Sequence, residues 1–405
     1  MKRLLILLPM LFVAAIEAAP SFSAAALTGY LQQAVASGSV PGVVVAVVDR
    51  GGIVYHEAFG TLNAAKKVPM AKDTIFNIAS MTKPVTSVAI MMLVDEGKLT
   101  LDDDVAKYLP KYKDPVVITN FNAADATYQT RPAKRPITVR HLLTHTSGIG
   151  YGFASPIVAA IQQKAQREKR TVSELDMPLL FDPGDSWAYG ASTRVLGSLV
   201  EAVSGQKLDA FLASRILHPL AMHDTAYSVP AANNGRVVSV ATRVDGTLVE
   251  RPAGPTNASP VQGDGGLFST AADYAQFVKM LLNDGRAGSA RILSAKSARS
   301  MFDNHTGKVV VPLQKSTNLA LSKDFPFGAG EDNWGLGFEL ARPKARKANT
   351  RAPGSGTWAG IFNTHFWIDR QNKVAAVVMM QLLPFYDDEA MKVLAGVEER
   401  IYTRR

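Results

Sequence analysis

Two short segments rich in β-branched and aromatic residues lie near each end of the chain. Near the N-terminus, residues 43–48 and 53–59 are separated by the polar, glycine-rich residues 49–52. Near the C-terminus, residues 364–368 and 374–380 flank another short polar segment. Such runs joined by a tight polar turn are typical of β-hairpins. The pattern therefore predicts one antiparallel hairpin at each end of the chain.

Apolar residues recur every three to four positions through most of the remaining sequence. This spacing places them on one face of a helix. It predicts an amphipathic helix over residues 24–37 and a closing helix over 387–402. Between these ends, it predicts helices over residues 87–96, 141–144, 155–169, 192–203, 208–216, 271–282 and 294–302.

Strands at both ends with helices between them predict an α/β fold that uses two separated parts of the chain. We expect residues 25–78 and 325–405 to form an antiparallel sheet flanked by the N- and C-terminal helices. Residues 79–324 are expected to form a large, mainly helical inserted domain. The hairpins weigh against a doubly wound parallel sheet. The chain also has neither a P-loop nor a dinucleotide-binding glycine motif.

The composition removes several kinds of chemistry. None of the 405 residues is a cysteine, which excludes disulfides, a cysteine nucleophile, iron–sulfur clusters and thiolate zinc sites. Charged residues make up 20% of the chain, with 44 Lys and Arg against 35 Asp and Glu. This low charge density, together with 8% aromatic residues, is typical of a folded chain. Catalysis must therefore use Ser, His, Asp, Glu, Lys or Tyr.

Residues 1–24 have the plan of a secretory signal peptide. Lys2 and Arg3 precede an apolar stretch over residues 4–16, and small residues follow from Ala18. The apolar stretch is too short to span a bilayer comfortably, and no cysteine follows it to carry a lipid. We expect a periplasmic or secreted protein without a stable membrane anchor. The alternative is an uncleaved anchor or a buried helix.

Ser80 and Lys83 stand three residues apart at the start of an apolar helical pattern. On the first turn of a helix, residues at i and i+3 share a face, so the hydroxyl and the ammonium lie together. A lysine beside a serine can hold or accept its proton and make the hydroxyl nucleophilic. A second Ser-x-x-Lys, from Ser204 to Lys207, stands where a helix ends at Gly205 and is interpreted as a cap. The Ser-x-x-Lys motif alone therefore does not identify an active site, and further catalytic groups must support it.

Two other segments could supply those groups. Tyr189 lies on a loop that enters a helix near residue 192, where its hydroxyl could act as an acid or a base. A buried tyrosine with a satisfied hydroxyl is the alternative. Trp358, Ala359 and Gly360 come just before the predicted strand at 364–368, where small residues would let a substrate approach closely. Their alternative role is a glycine-containing hairpin edge.

In this order, the three segments resemble the serine β-lactamase-like superfamily, especially class C β-lactamases and the related esterases and D-amino-acid peptidases. Residues 139–148 and 264–273 also look like signatures of that family, and the resemblance runs from about residue 30 to 390. It implies the β-lactamase/transpeptidase-like fold, with an active site between the two domains. It implies that Ser80 is the acyl-accepting nucleophile and that Lys83 holds or accepts its proton. Tyr189 would act as general base and later as proton donor, and the backbone amides of Ser80 and Ile361 would form the oxyanion hole.

Two departures from the family pattern bear on the substrate. Ala191 occupies the position of the Asn in Tyr-x-Asn, and Trp358 replaces the Lys of Lys-Thr-Gly. Both polar anchors for a β-lactam are therefore absent, and specificity depends on such groups being paired. We expect an esterase-like hydrolase that binds a small-molecule ester, amide or β-lactam substrate. A class C-type β-lactamase, a D-Ala-D-Ala carboxypeptidase or aminopeptidase, and a non-catalytic penicillin- or peptidoglycan-binding envelope protein are the alternatives.

The remaining polar clusters predict no cofactor. His141 and His145 are spaced i, i+4, but Leu142 occupies the position where a zinc protease needs Glu, so we interpret them as structural. Basic runs over residues 164–170 and 342–351 lack interleaved aromatic residues, which weighs against nucleic-acid binding. They are expected to be solvated surface, with adhesion to anionic polymer or lipid as the alternative. The sequence leaves the oligomeric state open.

Overall fold

We describe a computed structural model of the chain over residues 22–63, 65–251, 254–325, 328–341 and 349–403. Most of the predicted signal peptide lies outside the described residues. The helices in these ranges are α1 (Ala24–Ala36), α2 (Thr82–Asp95), α3 (Val139–Leu143), α4 (Pro156–Arg167), α5 (Ser192–Ser204), α6 (Leu208–Leu212), α7 (Ala271–Leu282), α8 (Ala295–Ser300) and α9 (Asp388–Tyr402). None of them is both long and apolar enough to cross a membrane.

Strands from both ends of the chain build one sheet. These strands are β1 (Gly42–Asp49), β2 (Ile53–Asn63), β3 (Val68–Pro69), β12 (Asn333–Trp334), β13 (Glu339–Leu340), β14 (Gly356–Gly360), β15 (Thr364–Asp369) and β16 (Val374–Met379). Their order in the sheet is β12-β13-β14-β15-β16-β1-β2-β3. All their pairings are antiparallel. The β1–β2 and β15–β16 pairs confirm the two predicted hairpins. The hairpins join where Val44 pairs with Met379.

Both faces of this sheet are buried. Val43, Val45 and Val47 face α1 and α9, whereas the alternating residues Val44 and Ala46 face the main core. A strand buried on both faces reads as a continuous apolar run, which is the pattern of β1. The flanking N- and C-terminal helices and the antiparallel sheet confirm the predicted fold class.

The region between the hairpins contains β-structure in addition to the predicted helices. Its strands are β4 (Phe76–Asn77), β5 (Val116–Asn122), β6 (Thr127–Pro132), β7 (Val240–Val244), β8 (Thr247–Arg251), β9 (Phe268–Ser269), β10 (Arg286–Ala287) and β11 (Ala290–Arg291), and β17 (Leu382–Leu383) pairs with β7. Helix α2 begins at Thr82, five residues before its predicted start. Helix α6 is shorter than predicted because a wider π-helical turn, Ala213–Leu217, continues it. Within the segment predicted as the inserted domain, α7 packs on β1 and β16. The exact domain limits stay a prediction.

Candidate active site

Ser80 lies in a 3₁₀ turn, Ala79–Met81, that leads directly into α2. Ala79 has a φ of 42°, in the left-handed region that residues with a Cβ seldom adopt. The side-chain oxygen of Asn77 accepts a hydrogen bond from the Ala79 amide at 3.0 Å and holds this turn. A strained backbone conformation of this kind persists only where the surrounding structure holds it, and such residues are concentrated at functional sites. The turn brings Ser80 onto the same face as Lys83.

Lys83 is almost completely buried beneath Ser80, with 2% of its surface exposed. Its Nζ donates to Ser80 Oγ at 3.0 Å and to the backbone carbonyl of Asp264 at 2.7 Å. The same nitrogen lies 4.9 Å from the ring centroid of Tyr189 and 5.3 Å from that of Tyr151. Two aromatic faces and two oxygen acceptors therefore surround the ammonium in place of bulk water.

The hydroxyl of Tyr189 forms a 2.7 Å hydrogen bond with Ser80 Oγ. An aromatic wall fixes the ring, with centroid separations from 5.1 to 6.4 Å to His145, Tyr151, Phe153, Trp187, Phe325 and Trp358. Directly after Tyr189, a Cβ on Gly190 would lie 1.9 Å from the carbonyl oxygen of Ile149, so only glycine fits this contact. The structure therefore brings the three predicted catalytic side chains together.

The predicted oxyanion donors lie where β14 meets the turn before Ser80. A Cβ on Gly360 would lie 2.4 Å from the carbonyl oxygen of Ile78, which shows how closely the two backbones approach. Within the described part of the chain, the backbone amides of Ser80 and Ile361 have no hydrogen-bond acceptor. Both residues are partly exposed. These two N–H groups are therefore available to an oxygen placed beside Ser80.

The three residues predicted to bind substrate share β14, where Trp358, Ala359 and Gly360 are all buried. The Trp358 ring is 3% exposed and packs on Trp334 at 4.8 Å and on Tyr189 at 5.1 Å. The apolar ring of Trp358 therefore packs against Tyr189 at the position where the family pattern has a cation.

Three polar residues beside this group, Tyr151, Arg194 and Asp264, were not among the predicted site residues. The Asp264 carboxylate accepts a short hydrogen bond from the Tyr151 hydroxyl and forms an ion pair with Arg194 at 3.0 Å. Burial raises the pKa of Tyr151 well above its usual value, and the neighbouring Asp264 adds to this effect. The family-like stretches could have pointed to two of these residues, because Asp264 begins residues 264–273 and Tyr151 lies just after residues 139–148.

The two histidines predicted to be structural have different surroundings. Burial lowers the pKa of His145 well below its usual value, and the Lys83 charge adds to this effect. His145 is therefore a neutral member of the aromatic wall. Burial also lowers the pKa of His141 to about 4, and its Nδ1 accepts from the Thr138 amide. Among the described residues, no group of three or more His, Asp or Glu side chains could hold a metal ion. The second Ser-x-x-Lys is confirmed as a helix end, with Gly205 as the left-handed cap.

A buried ammonium and a phenol hydrogen-bonded to one serine hydroxyl, beside two available backbone amides, form the geometry of a serine acyl-transfer site. Comparison with known proteins gives the family. The Beta-lactamase family model matches residues 27–397. The chain therefore belongs to the Beta-lactamase family, and it is a serine hydrolase of the carboxylesterase-like kind.

Three similar proteins, one of them named an esterase and one a synthase, each match about nine-tenths of this chain. Protein Rv1367c of Mycobacterium tuberculosis is 33% identical over 373 residues, covering 89% of this chain and 90% of the relative. The lovastatin esterase of Penicillium rubens is 30% identical over 381 residues, covering 89% of this chain and 93% of the esterase. Unliganded simvastatin synthase LovD of Aspergillus terreus superposes with a TM-score of 0.77 at 26% identity, covering 94% of this chain and 98% of the synthase.

Proposed function

We propose that this protein is an exported serine esterase that cleaves small, uncharged carboxylic esters through an acyl-enzyme on Ser80. The observation that carries the proposal is the placement of Ser80 Oγ, 3.0 Å from Lys83 Nζ and 2.7 Å from the Tyr189 hydroxyl. Both distances are within hydrogen-bond reach, so a proton can leave Ser80 as its oxygen attacks a carbonyl carbon.

In the reactive state, Lys83 and Tyr189 together hold one proton fewer than their fully protonated forms, either as ammonium with phenolate or as amine with phenol. The two groups are coupled, so the missing proton belongs to the pair. Ser80 Oγ forms a bond to the ester carbonyl carbon, and the Ser80 proton passes to the pair. Tyr189 then delivers that proton to the leaving alkoxide, which departs as an alcohol and leaves the acyl group on Ser80. A water oxygen then forms a bond to the acyl carbon and passes one proton to the pair. The bond from that carbon to Ser80 Oγ breaks, the pair returns the proton to Ser80, and the acid leaves.

The carbonyl oxygen becomes an oxyanion in both halves of the reaction. The amides of Ser80 and Ile361 are available to receive it, because nothing in the described residues accepts their hydrogen bonds. The loss of one such preorganised donor typically slows catalysis about 10²- to 10³-fold. The two available amides therefore support the proposed acyl-enzyme route.

An ester fits this site better than a β-lactam does. Trp358 stands where the family pattern has Lys, and Ala191 stands where it has Asn. The Trp358 ring lies against Tyr189. A substrate carboxylate therefore lacks the cation that the family pattern provides, whereas an apolar acyl group needs no cation and can pack against an apolar ring. We expect hydrolysis of short-chain p-nitrophenyl esters to exceed turnover of nitrocefin by orders of magnitude. Comparable nitrocefin turnover, or stable acylation of Ser80 by penicillin, would favour a β-lactamase or a D-amino-acid peptidase instead.

Acyl transfer to an alcohol is a second candidate, favoured by a relative from Aspergillus terreus that is named a methylbutanoyltransferase and is 27% identical over 92% of this chain. The same acyl-enzyme would then be attacked by an acceptor alcohol instead of water. Adding a primary alcohol to the ester assay should distinguish the two reactions. Formation of a new ester at the expense of the free acid would favour transfer.

The decisive experiment uses Ser80→Ala with Ser204→Ala as a matched control from the second Ser-x-x-Lys. The wild-type protein and Ser204→Ala should release a burst of p-nitrophenol and gain the mass of a fluorophosphonate adduct. Ser80→Ala should do neither. Esterase activity retained in Ser80→Ala would refute the mechanism, and failure of the wild type to be labelled would favour the non-catalytic binding protein.

Export is part of this proposal and is supported by the plan of residues 1–24. Expression of the full chain in a Gram-negative host should yield a periplasmic or secreted protein that lacks this segment. N-terminal sequencing of the purified protein tests the expectation, and an intact N-terminus in the cytoplasmic fraction would contradict it.

A further inference from the structure

Beneath the nucleophile lies a second set of buried polar side chains that the mechanism above does not use. Asp264 is 5% exposed. Its carboxylate accepts a short hydrogen bond from the Tyr151 hydroxyl and receives Arg194 through Nε at 3.2 Å and Nη2 at 3.0 Å. Arg194 also reaches Glu174 at 3.4 Å. All of these partners donate to the carboxylate.

The backbone of the same residue contacts the catalytic group directly, because the Asp264 carbonyl accepts from Lys83 Nζ at 2.7 Å. Neighbouring residues fasten this segment along α2. The Thr86 hydroxyl donates to the Gly263 carbonyl at 2.7 Å, and the Leu267 amide donates to the Thr82 hydroxyl at 3.2 Å. The position of Lys83 is therefore coupled to the position of residues 263–267.

On its other side, the segment is pressed against α5. A Cβ on Gly263 would lie 2.5 Å from the Thr193 carbonyl oxygen and 2.9 Å from Gly197 Cα. Arg194, which binds the Asp264 carboxylate, belongs to the same helix. The ion pair therefore joins the segment to α5, while its backbone holds Lys83 on α2.

Tyr151 links this second set to the nucleophile. Its ring centroid lies 5.3 Å from Lys83 Nζ and 5.2 Å from the ring of Tyr189, while its hydroxyl reaches Asp264. Arg194 Cζ lies 5.9 Å from the same ring. One aromatic ring thus contacts the Lys83 ammonium, the Asp264 carboxylate and the Arg194 guanidinium.

We propose that Asp264 is a positioning residue for acylation: its carboxylate, held by Tyr151 and Arg194, fixes the carbonyl that holds Lys83 under Ser80 and balances the charge around that ammonium. This inference rests on the proposed function. The groups facing Lys83 and Asp264 in the described part of the chain are Ser80, His145, Tyr151, Tyr189, Arg194 and Tyr227.

Among these groups, His145 is neutral because burial lowers its pKa, and burial raises the pKa of Tyr227. The charges that remain around the ammonium are therefore those of Asp264 and Arg194, with Glu174 beyond. They have opposite signs, so removing one or the other should change the protonation of the Lys83–Tyr189 pair in opposite directions.

The test compares Asp264→Asn, Arg194→Met and Arg194→Lys with the wild type. Asp264→Asn leaves a cation near Lys83, so the acidic half-maximum of acylation should move to lower pH by about one unit. Arg194→Met leaves an anion, so the half-maximum should move to higher pH by a similar amount. Arg194→Lys keeps the charge and should stay near the wild type. The Asp264→Asn rate should also fall about ten-fold or more, because Lys83 loses its fixed position.

Each rate is measured as the p-nitrophenol burst from pH 5 to 9, with the folded fraction followed by circular dichroism. Glu398→Gln is the matched control, since it removes the charge of another bidentate pair. That pair joins Glu398 to Arg351, is partly buried, and lies on the face of the sheet that packs against α9. This variant should lower stability and leave the pH profile unchanged.

Opposite displacements in Asp264→Asn and Arg194→Met support the inference. Displacements in the same direction, or a lower rate with an unchanged profile, would show a merely structural role and overturn it. If Asp264→Asn does not fold, Arg194→Met against Arg194→Lys decides: an upward displacement in the first alone supports the inference, and no displacement overturns it. Wild-type protein without a burst, and with Ser80→Ala equally active, would overturn the proposed function and this inference with it.

Discussion

Replacing Gly360 by alanine tests the oxyanion hole without changing any side chain of the catalytic group. The added Cβ would lie 2.4 Å from the Ile78 carbonyl oxygen and 2.3 Å from Thr364 Oγ1. Ordinary contacts of a Cβ begin near 3.4 Å. The end of β14 must therefore move about 1 Å away from the turn that carries Ser80, and the Ile361 amide moves with it.

A displacement of about 1 Å lengthens a 2.9 Å hydrogen bond beyond useful reach. Loss of one oxyanion donor is worth about 3 kcal/mol of transition-state stabilisation. Gly360→Ala should therefore lower the acylation rate about 10²-fold or more. The burst of p-nitrophenol measures that rate, and active Ser80 is counted with a fluorophosphonate label so that unfolded protein does not enter the rate.

Two further variants isolate the cause. Thr364→Ala removes the side-chain contact, so the double variant with Gly360→Ala should stay slow if the Ile78 carbonyl is what forces the movement. Gly29→Ala, in α1, meets nothing within 4 Å and should leave the burst unchanged. A normal burst in Gly360→Ala would refute the assignment of the Ile361 amide. Full rescue by Thr364→Ala would show that the Thr364 side chain, and not the Ile78 carbonyl, forces the movement.

Three further outcomes follow from burial and charge. Burial lowers the pKa of His141 to about 4 and that of His365 to about 3, so the unfolded chain takes up protons first as the pH falls. Stability should be full above about pH 6.5 and decline toward pH 4; equal melting temperatures at pH 7.5 and 4.5 would contradict this. Glu398→Gln removes the charge that pairs with the partly buried Arg351 and should cost about 2 kcal/mol in urea unfolding at unchanged kcat; equal stability would show that this ion pair does not stabilise the fold. Trp358→Ala removes the ring contacts with Tyr189 and Trp334 and should cost about 3–5 kcal/mol of stability and lower kcat. Trp358→Phe should retain most of the stability and most of the activity. A stable, fully active Trp358→Ala would show that this ring does not contribute to the mechanism.

The sequence predicted best those elements whose own run of apolar residues already indicates that they are buried. The apolar runs of β1 and β16 are buried on both faces, and they read as strands without knowledge of their partners. The pairing of β1 with β16 joins segments from opposite ends of the chain, and no local pattern specifies it. The β5–β6 hairpin was missed because most of its residues are exposed or half-exposed, so its apolar positions do not alternate.

The same contrast holds for the site. Ser80 and Lys83 are three residues apart, and helical spacing alone predicted their shared face. Tyr151 and Asp264 stand 113 residues apart, and Arg194 and Asp264 stand 70 apart. Their contact depends on how the segment after residue 262 packs between α2 and α5. Sequence spacing therefore predicted that the Ser80 and Lys83 side chains meet, and only tertiary structure shows which residues hold them in place.

The charge distribution of the site bears on which bond it cleaves. Lys83 is the ammonium in contact with Ser80, and the second position where the family pattern has Lys is the apolar ring of Trp358. An amide or β-lactam nitrogen must gain a proton before it can leave, and a substrate carboxylate needs a cation to hold it in place. An ester alkoxide is the better leaving group and requires neither a carboxylate anchor nor a proton taken up in advance. A single ammonium, shared between Ser80 and the Asp264 carbonyl, therefore favours the proposed ester cleavage over the β-lactam chemistry of the family.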